Sequence, residues 1–153
     1  MQTGVETFLQ GSGVVRVAGK VLTDAQIKAL PTTAIEIIPA PGANRVIQPI
    51  RITGKVDATA GAYVLAGHTI LGVIPHGSDF SGQNFWVEDF AMGNLDSASQ
   101  ITLWSPFVAD RVVDMAAFKE KALDLFMDGG GSLTGGNAAN TLTVIVFYSV
   151  MDV

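Results

Sequence analysis

The sequence predicts a mainly β fold, an antiparallel β-sandwich or barrel of about eight strands with one short helix over residues 23–30. Three observations predict it. The chain closes on Thr141-Leu142-Thr143-Val144-Ile145-Val146-Phe147-Tyr148-Ser149-Val150-Met151, a run too long and too β-branched for a loop. The apolar stretches before it are short and separated by turn signals, with 17 glycines and 6 prolines in the chain. Apolar residues make up 48% of the 153 residues and charged residues only 15%. An average soluble domain carries about 25% charged residues. The chain therefore has little charge with which to coat its own surface, and burial in an oligomer or larger assembly is expected.

The elements follow in order. Residues 1–13 read as an extended N-terminal arm and residues 14–153 as a single β-rich domain. Gly4, Gly11, Ser12 and Gly13 interrupt any regular element in the arm, while Val5, Phe8 and Leu9 are apolar. It is either a frayed terminus or an arm that docks Phe8 and Leu9 on a neighbour. Val14 to Val21 alternates as a first strand. Thr23 with Gln26 three residues on is a capping-box pattern, Ile27 and Leu30 share an apolar helix face, and Pro31 ends the helix. Thr33 to Ile38 reads as a strand, and Pro39 to Asn44 as a turn in which Gly42 permits a positive φ.

Arg45 to Asp57 is the cleanest strand. Val46, Ile50, Ile52 and Val56 are expected on one face, Arg45, Arg51, Lys55 and Asp57 on the other. Pro49 places the strand at an edge or marks a bulge. Ala62 to Ile74 reads as a strand bent at Gly67, Pro75 to Gly82 as a loop, and Phe85 to Phe90 and Ser99 to Trp104 as further strands. Pro106 to Ala117 is poorly specified. Ala122 to Met127 reads as a strand, joined by the Gly-rich turn Gly129 to Gly136 to the terminal strand in a hairpin. A strand wet on one side would alternate apolar and polar. In the terminal strand Leu142, Val144, Val146, Tyr148 and Val150 form one apolar face and Ile145, Phe147 and Met151 the other. Both faces need a cover, and another subunit is a candidate for the second.

The residues offer no catalytic constellation. With no cysteine there is no disulfide, thiolate metal site or cysteine nucleophile. His68 and His76 flank glycines without an adjacent acid, and their spacing matches no ligand motif. Both read as structural or surface histidines. Glu88 and Asp89 are adjacent, so on a strand they face opposite ways. Asp79, Glu88, Asp89 and Asp96 lack the alternation and closing Glu of an EF-hand and read as a solvated loop. Gly129 to Gly136 lacks the Lys-Ser/Thr ending of a phosphate loop and enters a strand rather than a helix. No Gly-x-Ser-x-Gly elbow is present. The expectation is a protein that is not an enzyme and needs no cofactor or metal. Net charge is −5 and the 9 basic residues are scattered, so no direct nucleic-acid binding is expected. No apolar run approaches the ~20 residues of a spanning helix. The N-terminus lacks the basic and apolar regions of a signal peptide. Phe85, Trp86, Phe90 and Trp104 are core or interface residues or, alternatively, a sugar-stacking platform.

Two segments carry a resemblance. The first is Val21-Leu22-Thr23-Asp24-Ala25-Gln26-Ile27-Lys28-Ala29-Leu30-Pro31-Thr32-Thr33, followed by Ile37-Ile38-Pro39-Ala40-Pro41-Gly42-Ala43. The second is Ala122-Leu123-Asp124-Leu125, Leu133-Thr134-Gly135-Gly136, Leu142-Thr143-Val144 and Tyr148-Ser149-Val150. Together they resemble small structural proteins of tailed bacteriophage virions, among them capsid decoration (cement) proteins. The resemblance covers about half the chain, and its motifs are fold signatures rather than catalytic ones.

The resemblance implies a decoration protein on the outer capsid surface of the virion, made in the host bacterial cytoplasm. Its partner would be the major capsid protein, whose subunit contacts it would stabilise. It would be a homo-oligomer, with a trimer favoured by the local three-fold positions of an icosahedral shell. The expected oligomer or capsid interface residues are Phe8, Leu9, Ile145, Phe147 and Met151. The alternatives are a tail-tube, head–tail or baseplate component, or a carbohydrate-binding module using Trp86 and Trp104.

Overall fold

In the computed structural model the described residues are 14–65, 67, 71–77, 95, 100–106, 115–129 and 132–153. Among them lie nine strands and two short helices: β1 (Arg16–Thr23), α1 (Asp24–Ala29), β2 (Ile35–Ile38), β3 (Arg45–Asp57), β4 (Tyr63–Val64), β5 (Leu71–Pro75), β6 (Gln100–Pro106), α2 (Met115–Phe118), β7 (Leu123–Met127), β8 (Thr134–Gly135) and β9 (Thr141–Asp152). The expected strand over Phe85 to Phe90, the arm with Phe8 and Leu9, His68, Trp86 and the acidic residues Asp79, Glu88, Asp89 and Asp96 lie outside the described residues.

The strands form three antiparallel sheets, ordered β1-β9-β3-β6, β2-β7-β5 and β4-β8. The chain is mainly β, as the sequence predicts. The barrel alternative falls away, because the four-stranded sheet ends on β1 at one side and β6 at the other and does not close. The two larger sheets share one hydrophobic cluster. The first contributes Leu22, Ile52, Val56, Leu142, Val144 and Val146, the second Leu71, Val73, Leu123, Leu125 and Met127.

Helix α1 forms for local reasons. Thr23 Oγ1 accepts from Gln26 N at 3.5 Å, and Gln26 Oε1 accepts from Thr23 N at 3.0 Å, which completes the capping box. Lys28 Nζ pairs with Asp24 Oδ2 one turn away at 2.7 Å. Ile27 and Leu30 are fully buried, so the helix closes part of the core with its apolar face. Its C-terminal carbonyls tie it to later chain: Leu133 N donates to Lys28 O and Met127 N to Leu30 O.

Strand β9 is the spine of the larger sheet. It pairs along β1 from Arg16↔Tyr148 to Thr23↔Thr141 and along β3 from Arg45↔Asp152 to Asp57↔Thr141. Strand β3 has the bounds the sequence predicts but is internal, so the proline marks a bulge and not an edge. The register shifts between Pro49 and Arg51. That shift changes which residues face the core. Ile47 and Pro49 are buried before it, Ile52 and Val56 after it, and Ile50 is 42% exposed instead of sharing their face.

Two further expectations are corrected. Residues 62–74 are not one bent strand: β4 pairs with β8 and β5 pairs with β7, in different sheets. Gly67, at φ +90°, lies between them in a conformation that ends extended chain. Nor do β7 and β9 form a hairpin. β7 lies between β2 and β5, while β9 lies between β1 and β3. The chain crosses from one sheet to the other through β8 and the positive-φ pair Gly135 and Gly136.

Candidate docking surface

Directly paired residues of antiparallel strands share a face. The register therefore assigns Thr143, Ile145 and Phe147 of β9 to the face of the four-stranded sheet that points away from the core. Beside them on β1 stand Val21, Gly19 and Val17, and on β3 stand Lys55, Thr53 and Arg51. Val17 and Val21 are 59% and 60% exposed. Ile145 and Phe147 are half-buried. The Arg51 guanidinium sits over the Phe147 ring, 5.3 Å from its centroid, within cation–π distance. Thr53 Oγ1 is buried there without a hydrogen-bond partner.

The structure thus brings Ile145 and Phe147 together, two residues apart on one face. Met151 is half-buried farther along β9, opposite the fully buried Val46. The exposed members that sequence reasoning missed are Val17 and Val21. Their alternation was visible in the first strand. That they flank Phe147 and Thr143 at a sheet edge depends on strand order, which periodicity does not carry. Trp104 is a register position of β6 opposite Thr53.

Two polar clusters lie elsewhere. In the first, Tyr63, Asn140 and Asp24 meet where α1, β4 and the approach to β9 converge. Tyr63 and Asn140 are 2% and 1% exposed. Asn140 Nδ2 donates to Gly61 O at 2.6 Å. Asp24 Oδ1, Tyr63 Oη and Asn140 Oδ1 are buried without a well-formed hydrogen bond, although the carboxylate and amide lie close enough to act on the phenol. Burial pushes the phenol from 10.0 up to about 12; the Asn140 amide opposes that rise and Asp24 adds to it.

The unfolded phenol ionises near 10. The neutral buried phenol therefore contributes stability that is whole below pH 10 and is lost as pH rises from 10 through 12. The loss is on the order of 2 kcal/mol. Tyr63→Phe is expected to remove that part of the alkaline decline. Urea titrations of both proteins on either side of pH 10 measure it. Parallel declines for the two proteins would show that Tyr63 is not the group responsible.

In the second cluster, His76 Nδ1 lies 2.8 Å from Asp124 Oδ2. The Asp124 side chain is 3% exposed and the His76 side chain 67%. Asp124 shares a face of the three-stranded sheet with Glu36 and Ile74, its register partners. His76 thus has an acidic neighbour after all, 48 positions away. Among the described residues no three or more His, Cys, Asp or Glu side chains group so as to hold a metal ion. The pair reads as a structural clasp between the end of β5 and β7. Also among the described residues, no helix is long and apolar enough to cross a membrane.

The fold and this surface define an antiparallel, mainly β protein with an apolar patch on one sheet face and a β1 edge that pairs with nothing else among the described residues. No protein-family model matches the chain, and no curated protein matches it. A solved structure described as "Cyanophage Pam1 capsid asymmetric unit" contains a chain similar over 90% of this chain and 85% of its own, at 15% identity and a TM-score of 0.46.

Proposed function

We propose that the chain is a non-catalytic capsid decoration protein of a tailed bacteriophage. It binds the outer shell of the virion as a trimer and stabilises contacts between major capsid subunits. The observation that carries this reading is the apolar patch of Val17, Val21, Ile145 and Phe147 on the outer face of the four-stranded sheet, bordered by Arg51 and Lys55. A protein that holds shell subunits together acts through contact area rather than through a pocket. Such area contributes about 25 cal/mol per Å² of apolar surface buried, less the cost of ordering what docks. The capped helix and terminal-strand segments that resemble phage structural proteins support the same reading.

The test is to heat virions that carry the protein and virions stripped of it while following DNA release with a dye. Decorated shells are expected to release DNA at the higher temperature. Identical release temperatures would sink the proposal. Deleting Met1 to Gly11 is expected to leave the melting temperature of the isolated chain unchanged and to weaken its retention on the particle. A truncated chain that does not fold would show instead that the arm belongs to the core.

A further inference from the structure

We infer that two copies of this chain pair edge to edge through β1, antiparallel, about a two-fold axis at Gly19. The inference does not depend on the decoration reading. It starts from what natural sheets do at their edges: they end in short strands, bulges, prolines or covered backbone, because an open edge recruits another strand. Edge strand β2 is four residues long, has a register shift between Glu36 and Ile38, and has Glu36 O covered by Lys20 Nζ at 2.9 Å. Edge strands β5 and β6 end in Pro75 and Pro106. β1 is neither short, bulged nor interrupted by proline; its only edge charges are Arg16 and Lys20, and Lys20 Nζ is turned aside to Glu36 O. It runs eight residues in unbroken register on β9, and nothing among the described residues pairs with its other side.

The exposed apolar side chains gather on the same edge. Of the seven large hydrophobic residues exposed among the described residues, Val14, Val15, Val17 and Val21 lie on β1 or on the approach to it. The pattern Val17-Ala18-Gly19-Lys20-Val21 is close to self-complementary. Antiparallel pairing about Gly19 sets Val17 of each copy against Val21 of the other and Ala18 against Lys20. The outer and inner faces of the two sheets then run on continuously, because directly opposed residues share a face.

Charge selects this register from its neighbours. A two-fold axis at Ala18 would oppose Arg16 to Lys20, and an axis at Lys20 would oppose the two Lys20 residues; like charges directly opposite are destabilising. At Gly19 Arg16 meets Leu22 and Lys20 meets Ala18, so no like charges are opposed. Lys20 is also already drawn aside to the Glu36 carbonyl. The occupant that fits this edge is therefore β1 of a second copy, and the paired sheets form one of eight strands. On a particle the same contact would join copies seated at neighbouring sites.

The chain has no cysteine, so a single introduced cysteine reports only on contact between copies. A Cβ added at Gly19 would have its nearest neighbours, Val144 O and Ile145 Cγ1, at 3.5 and 3.6 Å, which is ordinary contact. Across an antiparallel pair the facing Cα atoms are about 4.5–5.5 Å apart, inside the ~4.4–6.8 Å span of a disulfide. Under mild oxidation the full-length Gly19→Cys protein is expected to double in mass on a non-reducing denaturing gel, about tenfold faster than an exposed control, Lys119→Cys. Val17→Cys and Val21→Cys are each expected to stay single alone and to crosslink when mixed. This mixed pair keeps the proposal testable if Gly19→Cys does not fold, as circular dichroism would show. Crosslinking of Gly19→Cys no faster than the control overturns the proposal. So does a mixture of Val17→Cys and Val21→Cys that crosslinks no faster than either alone.

Discussion

Gly136→Ala is expected to destabilise the protein by about 2–5 kcal/mol, from a left-handed backbone penalty and an overpacking penalty acting together. Gly136 has φ +68°, a conformation in which a Cβ costs about 1–2 kcal/mol. The added Cβ would also overlap Tyr63 Cε1, and would sit 2.6 Å from Asp24 Oδ1 and 2.9 Å from Tyr63 Cδ1. Neither neighbour is free to retreat. Tyr63 is 2% exposed, and Asp24 is held by Lys28 at 2.7 Å on the first turn of α1. The glycine itself is fixed, since its N donates to Ala62 O at 2.8 Å.

Gly42→Ala separates the two penalties. Gly42 has φ +96° but nothing within 4 Å of an added Cβ, so only the backbone term applies and about 1–2 kcal/mol is expected. Urea denaturation midpoints of the two variants decide the matter. Equal midpoints would mean that the Tyr63 and Asp24 packing yields at little cost.

This turn also shows how far local pattern reaches. Helix α1 was legible because its determinants, Thr23, Gln26 and the Ile27–Leu30 spacing, all lie within about two turns of chain. Strand β3 was legible because its bounds are set by adjacent turn chemistry: Gly42 and Asn44 both adopt positive φ before it. What failed was pairing across distance. The Gly-rich segment before β9 looked like the tip of a hairpin, yet β7 and β9 belong to different sheets. Nothing in a local window reports which strand a partner will be. Ile50 failed for a related reason: the register shifts between Pro49 and Arg51, so Ile50 sits in the bulge and turns outward, while Val46 before it and Ile52 and Val56 after it are buried as the alternation predicts. Of the docking surface, Ile145 and Phe147 were legible because β9 is apolar on both sides. Val17 and Val21 were not, because their exposure follows from β1 being the edge.

His76→Ala is expected to cost about 2–3 kcal/mol, although the removed ring is largely exposed. The cost arises at its partner. Asp124 is a carboxylate at 3% side-chain exposure on the central strand of the three-stranded sheet. Its Oδ1 is buried without a partner, and its Oδ2 meets His76 Nδ1 at 2.8 Å. Removing the imidazole leaves both oxygens without a partner among the described residues. A buried polar group left unsatisfied costs about 1–3 kcal/mol, and a charged one more. Breaking a buried pair from one side is accordingly worse than replacing it whole. Asp124→Leu in the His76→Ala background is therefore expected to recover most of the loss, because Asp124 lies beside the fully buried Ile74 on a face that accepts an apolar side chain. The double-mutant cycle, read from urea midpoints, gives the coupling directly. Additive losses would mean that the two side chains act independently, and the clasp reading would be wrong. A large negative coupling, with the double variant more stable than His76→Ala alone, would show that the histidine's role in the fold is to satisfy one buried carboxylate.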